Sequence, residues 1–225
     1  MQIAFHSRPQ RSVAPIEADT LRTPGRTVRV GRDAEIYAEG SSSDHVYRVI
    51  SGAVRTCKLM ADGRRQIGEF ALPGDLFGLE AFGSRLYSTE AVMETQLVCY
   101  SRRALEGSAA RDGAVARAMQ DLALKSLAAA QKRIVLLGRK TAMERVASFL
   151  LEMQDRNATA DACLTLPMSR QDIADHLGLT IETVSRSLSS LKQRSVIVLP
   201  DAHRIRILDH ATLERLSGED DTTRH

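Results

Sequence analysis

Glu182, Ser185 and Arg186 lie three and four residues apart, so on a helix their side chains share one edge. That edge is about as wide as the DNA major groove admits. An arginine forks onto the two acceptors of guanine, and a glutamate, which only accepts, suits the amino donor of cytosine. Ile181, Thr180 and Ser189 complete the same face. The chemistry on offer is the reading of base edges by Ile181, Glu182, Ser185 and Arg186. An ordinary solvated helix face with a Glu–Arg ion pair at (i, i+4) has the same spacing, and these residues alone do not separate the two readings.

The elements around this face favour the first. Ile173, Leu177, Leu179, Val184, Leu188 and Leu191 recur at helical intervals with one break, at Gly178-Leu179-Thr180, where a tight bend between two helices falls. Ser169 stands where the first helix starts, and Thr180 can accept the orphan N–H groups of the second. A strand is predicted at 164–166. Residues 196–199 and 204–208, joined by Pro200-Asp201-Ala202-His203, read as a hairpin. Strand, helix, turn, helix and hairpin make a winged helix, with His203 and Arg204 at the wing tip placed to meet phosphate.

Upstream, Gly40, Gly52, Gly63 and Gly74 punctuate short alternating runs at 47–50, 53–59 and 66–71, and Asp62-Gly63 is a hairpin signal. This is a roll of short strands. Between roll and winged helix, Leu127, Ala130, Ile134 and Leu137 form an a/d-type seam beside a second stripe at Val115, Met119 and Leu122. Two stripes let one helix pack on its own roll and on a partner copy, which predicts a homodimer; a single amphipathic helix covering its own core is the simpler alternative. Gly138-Arg139-Lys140-Thr141 reads as a hinge, with Thr141 capping a helix that carries Val146, Phe149, Leu150 and Met153. The expected architecture is α+β: a flexible segment 1–25, a β-roll 26–110, a dimerisation helix 111–138, a winged helix-turn-helix 139–217 and a tail 218–225.

Composition narrows the function classes. At 225 residues and 43% hydrophobic content the chain can bury two modest cores. No apolar run approaches the roughly 20 residues of a membrane span, and the start lacks a signal-peptide core, so a cytoplasmic protein is expected. Net charge is +3, but residues 139–225 carry twelve Lys and Arg against thirteen Asp and Glu. DNA binding must therefore rest on where Arg170, Arg186, Lys192, Arg194 and Arg204 fall rather than on a global field. Cys57, Cys99 and Cys163 are too scattered for a local zinc or iron–sulfur set and read as buried reduced thiols, with Cys163, in a linker, the exception. No histidine occurs between His45 and His176, which weighs against haem and against a metal-dependent, cupin-like β-roll enzyme, the alternative from another class. No hydrolase, nucleotide-triphosphate or zincin motif is present. No catalytic residue, metal or cofactor is expected.

Over nearly its whole length the chain resembles the Crp/Fnr transcription regulators. Thr180-Ile-Glu-Thr-Val-Ser-Arg186 is similar to the family's recognition helix, in the E-x-x-S-R form of its Fnr and FixK branches, and Pro73-Gly74-Asp75-Leu76-Phe77-Gly78 resembles its P-G-D-x-x-G loop. The resemblance implies that Glu182 and Arg186 are the principal base readers, that Ser185 adds a contact, and that the half-site is TTGAT-like. It further implies that Arg170, Gln171, Thr180 and Thr183 hold the phosphate backbone and that RNA polymerase is a partner, with 83–88 as a contact loop. Three departures matter. The N-terminal cysteine group of Fnr is missing, the nucleotide pocket's Phe-Gly-Glu has become Phe77-Gly78-Leu79-Glu80, and its Arg-Ser pair has become Tyr87-Ser88, leaving Arg85 as the one cation at hand to replace the arginine. What remains resembles the FixK type, implying a DNA-binding activator of micro-oxic or nitrogen-fixation genes that needs no small-molecule effector. A ligand-gated member of the family, answering to a cyclic nucleotide or redox change, is the alternative.

Overall fold

The computed structural model describes residues 21, 23–80, 83–157 and 163–218. The expected loose N-terminal segment, apart from its last residues, and nearly all of the tail lie outside them. The chain divides into two compact units, within Pro15–Ile134 and Val135–His225.

The first unit is an antiparallel roll of β1 (Arg26–Val30), β2 (Glu35–Tyr37), β3 (His45–Ser51), β4 (Val54–Leu59), β5 (Arg65–Ala71), β6 (Leu76–Phe77), β7 (Ser88–Ala91) and β8 (Thr95–Ser101). They form two four-stranded sheets, β1-β8-β3-β6 and β2-β7-β4-β5. Period-two alternation sends one set of side chains between the sheets: Tyr37, Val49, Val54, Ala71, Phe77 and Leu97 form that core. The other set on β3 and β8, Val46, Val98 and Tyr100, meets Leu105 and Met119 on the outer face. Gly52, with φ of +90°, turns β3 into β4 where a Cβ would stand 2.6 Å from the Glu94 carbonyl oxygen, so only glycine fits.

Leu105 lies on α1 (Arg102–Arg111), a helix the sequence reading missed. Leu105 is its one buried residue, so it carries no apolar periodicity to read. After a break at Asp112, α2 runs over Gly113–Arg139. The stripe begun by Val115 and Met119 faces the roll core, as expected. The second stripe is bare: Leu127 is 56% and Ile134 72% exposed, with Leu124 and Val135 alongside.

The second unit contains the end of α2 together with α3 (Ala142–Asn157), β9 (Cys163–Thr165), α4 (Arg170–Leu177), α5 (Ile181–Gln193), β10 (Ile197–Val198), β11 (Arg204–Ile207) and α6 (His210–Leu216). The three strands form a small sheet in the order β10-β11-β9, and α3 packs against α5 and α6. Its core collects Val146, Phe149, Leu150 and Met153 from α3, Ile173 and Leu177 from α4, and Val184, Leu188 and Leu191 from α5. Two details differ from expectation. Cys163 is not in a linker but opens β9, paired with Arg206 of β11, and α6 follows the hairpin around a single buried Leu213.

Candidate nucleic-acid interface

Both helices of the helix-turn-helix start at built caps. The Ser169 hydroxyl accepts from the Asp172 N–H at 3.1 Å, and the Asp172 carboxylate accepts from the Ser169 N–H at 3.1 Å and its hydroxyl at 2.7 Å. This is a reciprocal capping box that fixes where α4 begins, and with it Arg170 and Gln171. Asp172, three residues after Ser169, was its legible sequence signal. Gly178 ends α4 in the left-handed conformation, φ 62°, as a Leu-Gly-Leu stop predicts. Two residues on, Thr180 caps α5: its Oγ1 accepts from the Thr183 N–H at 3.2 Å and lies 3.0 Å from the Thr183 hydroxyl.

This brings the expected reading face together. Thr180, Ile181, Glu182, Ser185, Arg186 and Ser189 are all exposed on one side of α5, while Val184, Ser187, Leu188 and Leu191 are buried on the other. The anticipated Glu182–Arg186 pairing is absent among the described residues. The Glu182 carboxyl is instead held below the usual carboxylate range mainly by its own backbone N–H and the Thr180 hydroxyl, and Arg186 is the least of these influences. The first turn of a helix favours a carboxylate. Glu182 is therefore ionised and aimed by the helix start, and the Arg186 guanidinium is left for another acceptor.

The flanking residues differ in readiness. Arg170 is half-buried, its guanidinium destabilised as a cation by lost hydration, and its Nη1 is buried without a hydrogen-bond partner. A buried donor lacking an acceptor is costly, and because this atom has no accessible surface a phosphate meets it only if the side chain turns outward. Gln171 donates to Asp175 at 2.6 Å. At the wing, Asp201 accepts from the His203 N–H (2.8 Å), the Arg204 N–H (2.8 Å) and Arg204 Nε (2.6 Å), so Arg204 is exposed but already paired. His203 Nδ1 turns back to the Leu166 carbonyl at 3.0 Å, which leaves its ring only Nε2 for phosphate. The sequence reading missed Asp201 as organiser of this tip, although aspartate one residue after a turn proline is the usual mark of a side chain that bonds its own turn.

The roll interior is filled by its own side chains. Tyr37, Tyr47 and Phe77 cluster with each ring against both others, centroids 5.7, 5.3 and 6.3 Å apart, and the Arg85 guanidinium lies 4.0 Å from the Tyr37 ring centre. Arg85, 2% exposed, donates to Gly78 O and to Glu80 at 2.8 Å each, and to His45 O. Through Nη1 and Nη2 this guanidinium stitches Gly78 and Glu80 to β3, while its Nε is buried without a hydrogen-bond partner. Cys57 is buried and Cys163, the expected exception, is partly exposed; Cys99 is partly exposed too, a correction to the expectation of a buried thiol, although burial still pushes its thiol up, away from the reactive thiolate. Among the described residues no cluster of three His, Cys, Asp or Glu is arranged for a metal, and no helix is long and apolar enough to cross a membrane.

Comparison with known proteins agrees with this geometry. Residues 144–216 match the Crp-like helix-turn-helix domain, and residues 27–112 the cyclic nucleotide-binding domain. The nitrogen fixation regulation protein FixK of Azorhizobium caulinodans is 46% identical over 89% of this chain and 83% of its own length. The transcriptional activatory protein AadR of Rhodopseudomonas palustris is 35% identical over 92% and 87%. Among solved structures, FixK2 from Bradyrhizobium japonicum superposes with a TM-score of 0.83 at 46% identity, covering 86% of this chain and 97% of that one. Such relatives are DNA-binding regulators of transcription, which sets the cupin-like enzyme aside. With its roll, its long helix and its winged helix-turn-helix, the chain belongs to the Crp/Fnr family of transcription regulators, in the FixK-like branch.

Proposed function

We propose that this protein is a cytoplasmic transcription activator that binds, as a homodimer, an inverted repeat of the form TTGAT-N4-ATCAA, and that it does so without a small-molecule effector. The observation that carries the reading is the face of α5: a capped helix start presenting an ionised Glu182 beside Ser185, Ile181 and an uncommitted Arg186. Arg170, Gln171, Thr180, Thr183, His203 and Arg204 flank it and take the phosphates. Homodimerisation is supported by the bare stripe of Leu127, Ala130 and Ile134 on α2, since exposed apolar rows of this size are ordinarily covered. Leu137, the fourth seam residue, is half-buried instead, and contributes less.

Independence from an effector is supported by the rings of Tyr37, Tyr47 and Phe77, packed together between the sheets, and by Arg85, whose Nη1 and Nη2 are taken by the chain's own oxygens. Contact with RNA polymerase through 83–88, and a regulon in nitrogen fixation or micro-oxic respiration, follow by analogy with the relatives. The test is selection of bound sequences from random DNA by the purified protein with no additive. An inverted TTGAT-like repeat is expected, and Glu182→Ala should blur preference at one base pair of each half-site at a cost of about 1–3 kcal/mol. Binding that requires an added cyclic nucleotide, or an unaltered base preference in Glu182→Ala, overturns the proposal.

A further inference from the structure

Arg145, in the first turn of α3, spends its guanidinium entirely on backbone carbonyls. Its Nε donates to Lys140 O at 2.9 Å and its Nη2 to Leu137 O at 3.0 Å, at the end of α2. Its Nη1 donates to Leu177 O at 2.9 Å and Gly178 O at 3.4 Å, at the end of α4. These are the carbonyls that helix ends leave without partners, and each helix presents its negative end there. One cation therefore closes two helices at once. The apolar neighbour agrees: a Cβ placed on Gly178 would stand 3.6 Å from Leu137 and 3.5 Å from Arg145 Nη1, so the turn sits directly on the last turn of α2.

What this junction holds is functionally placed. Gly178 and Thr180 are the turn from which α5 leaves, and α5 carries the reading face; α2 carries the bare apolar stripe. We propose that Arg145 is the positioning residue that fixes the direction of each recognition helix against the dimer helix, and thereby sets the spacing between half-sites that the protein accepts. The inference rests on the homodimer reading above. A planar fork with five N–H groups at fixed angles can satisfy carbonyls of three segments simultaneously, whereas a lysine ammonium supplies charge without that geometry. The leverage is large: a tilt of about 15° over the roughly 20 Å length of a thirteen-residue helix moves its far end by ~5 Å, more than the ~3.4 Å of one base step.

The experiment measures affinity of the full-length protein for duplexes whose TTGAT half-sites are separated by three, four, five or six base pairs, and for a duplex with one half-site. Wild type is compared with Arg145→Lys and Arg145→Gln, the lysine variant keeping the charge at the helix ends so that a folded protein is in hand if glutamine destabilises the domain. Wild type should prefer the four-base spacer, and both variants should lose about tenfold of that preference while single half-site affinity stays within about twofold. A preference kept intact in both variants, or a common loss across every spacing and the single half-site, overturns the inference and leaves the dimer reading standing. A wild type that is monomeric by sedimentation and indifferent to spacing overturns the dimer reading, and this inference with it.

Discussion

Replacing Arg85 by methionine tests whether the roll is held together by its own buried guanidinium. The change keeps an unbranched apolar stem but removes the guanidinium head and every donor, leaving the His45 carbonyl and the Glu80 carboxylate, 16% exposed, without this partner, while the Gly78 carbonyl keeps Arg102 Nη2 at 2.9 Å. Removing one member of a buried pair costs about 3–5 kcal/mol, and the lost cation–π contact over Tyr37 adds ~1 kcal/mol. Some of this is recovered as water reaches Glu80, so about 4 kcal/mol is a fair working figure. With a urea slope of roughly 2 kcal/mol/M, the unfolding midpoint of the roll should fall by ~2 M. The protein has an internal reporter for this. All four of its tyrosines, Tyr37, Tyr47, Tyr87 and Tyr100, lie in the roll unit and it has no tryptophan, so intrinsic emission follows that unit alone. The exposed pair Asp62–Arg64 supplies the control, since Arg64→Met should leave the midpoint where it was. A midpoint for Arg85→Met within ~0.3 M of wild type would refute the argument, because it would mean that the surrounding carbonyls and carboxylate find water as readily as they found the guanidinium.

Three further outcomes are expected. Leu127→Asp together with Ile134→Asp should convert the protein to a monomer in sedimentation and abolish binding to the inverted repeat, with the melting of the roll unaffected. Ser169→Ala should lower the stability of the winged-helix unit by about 1 kcal/mol and weaken DNA binding by loosening the start of α4, read by circular dichroism and by gel shift. Glu144, Asp201 and Asp209 are each held below their ordinary values of 4.5, 3.8 and 3.8, the first and last by hydrogen bonds at helix caps and Asp201 chiefly by Arg204. A depressed folded value means that their stabilisation is present above the ordinary value and is lost as pH falls through the folded one. Stability should therefore fall as pH drops below these ordinary values, and fall slightly less in Glu144→Gln and Asp209→Asn, read by urea midpoints at pH 7 and pH 3.

Much of the candidate reading face was legible because helical period, caps and a glycine stop are local signals: Ser169, Gly178 and Thr180 mark the ends, and the alternation of Val184 and Leu188 with Glu182 and Arg186 marks the faces. Other features depend on which distant groups the fold brings near. Arg145 bonds only backbone oxygens, which have no residue type to read. Arg85 looked like a candidate anion binder because its sequence neighbours say nothing of Tyr37 stacked beneath it. Leu137 has the spacing of the seam, yet the turn at Gly178 claims it. Short helices such as α1 and α6, each with one buried residue, leave too little apolar pattern to be seen.

On the homodimer reading proposed above, the naked stripe on α2 ties the behaviour of the protein to its abundance. Chains that must pair to cover Leu127 and Ile134 follow mass action: below the level at which half are paired, the number of dimers grows with the square of the number of chains. A twofold rise in synthesis then becomes nearly a fourfold rise in operator occupancy, and proteolysis removes activity just as steeply. A regulator that pairs this way and needs no effector, as proposed above, is thresholded by its own production and turnover.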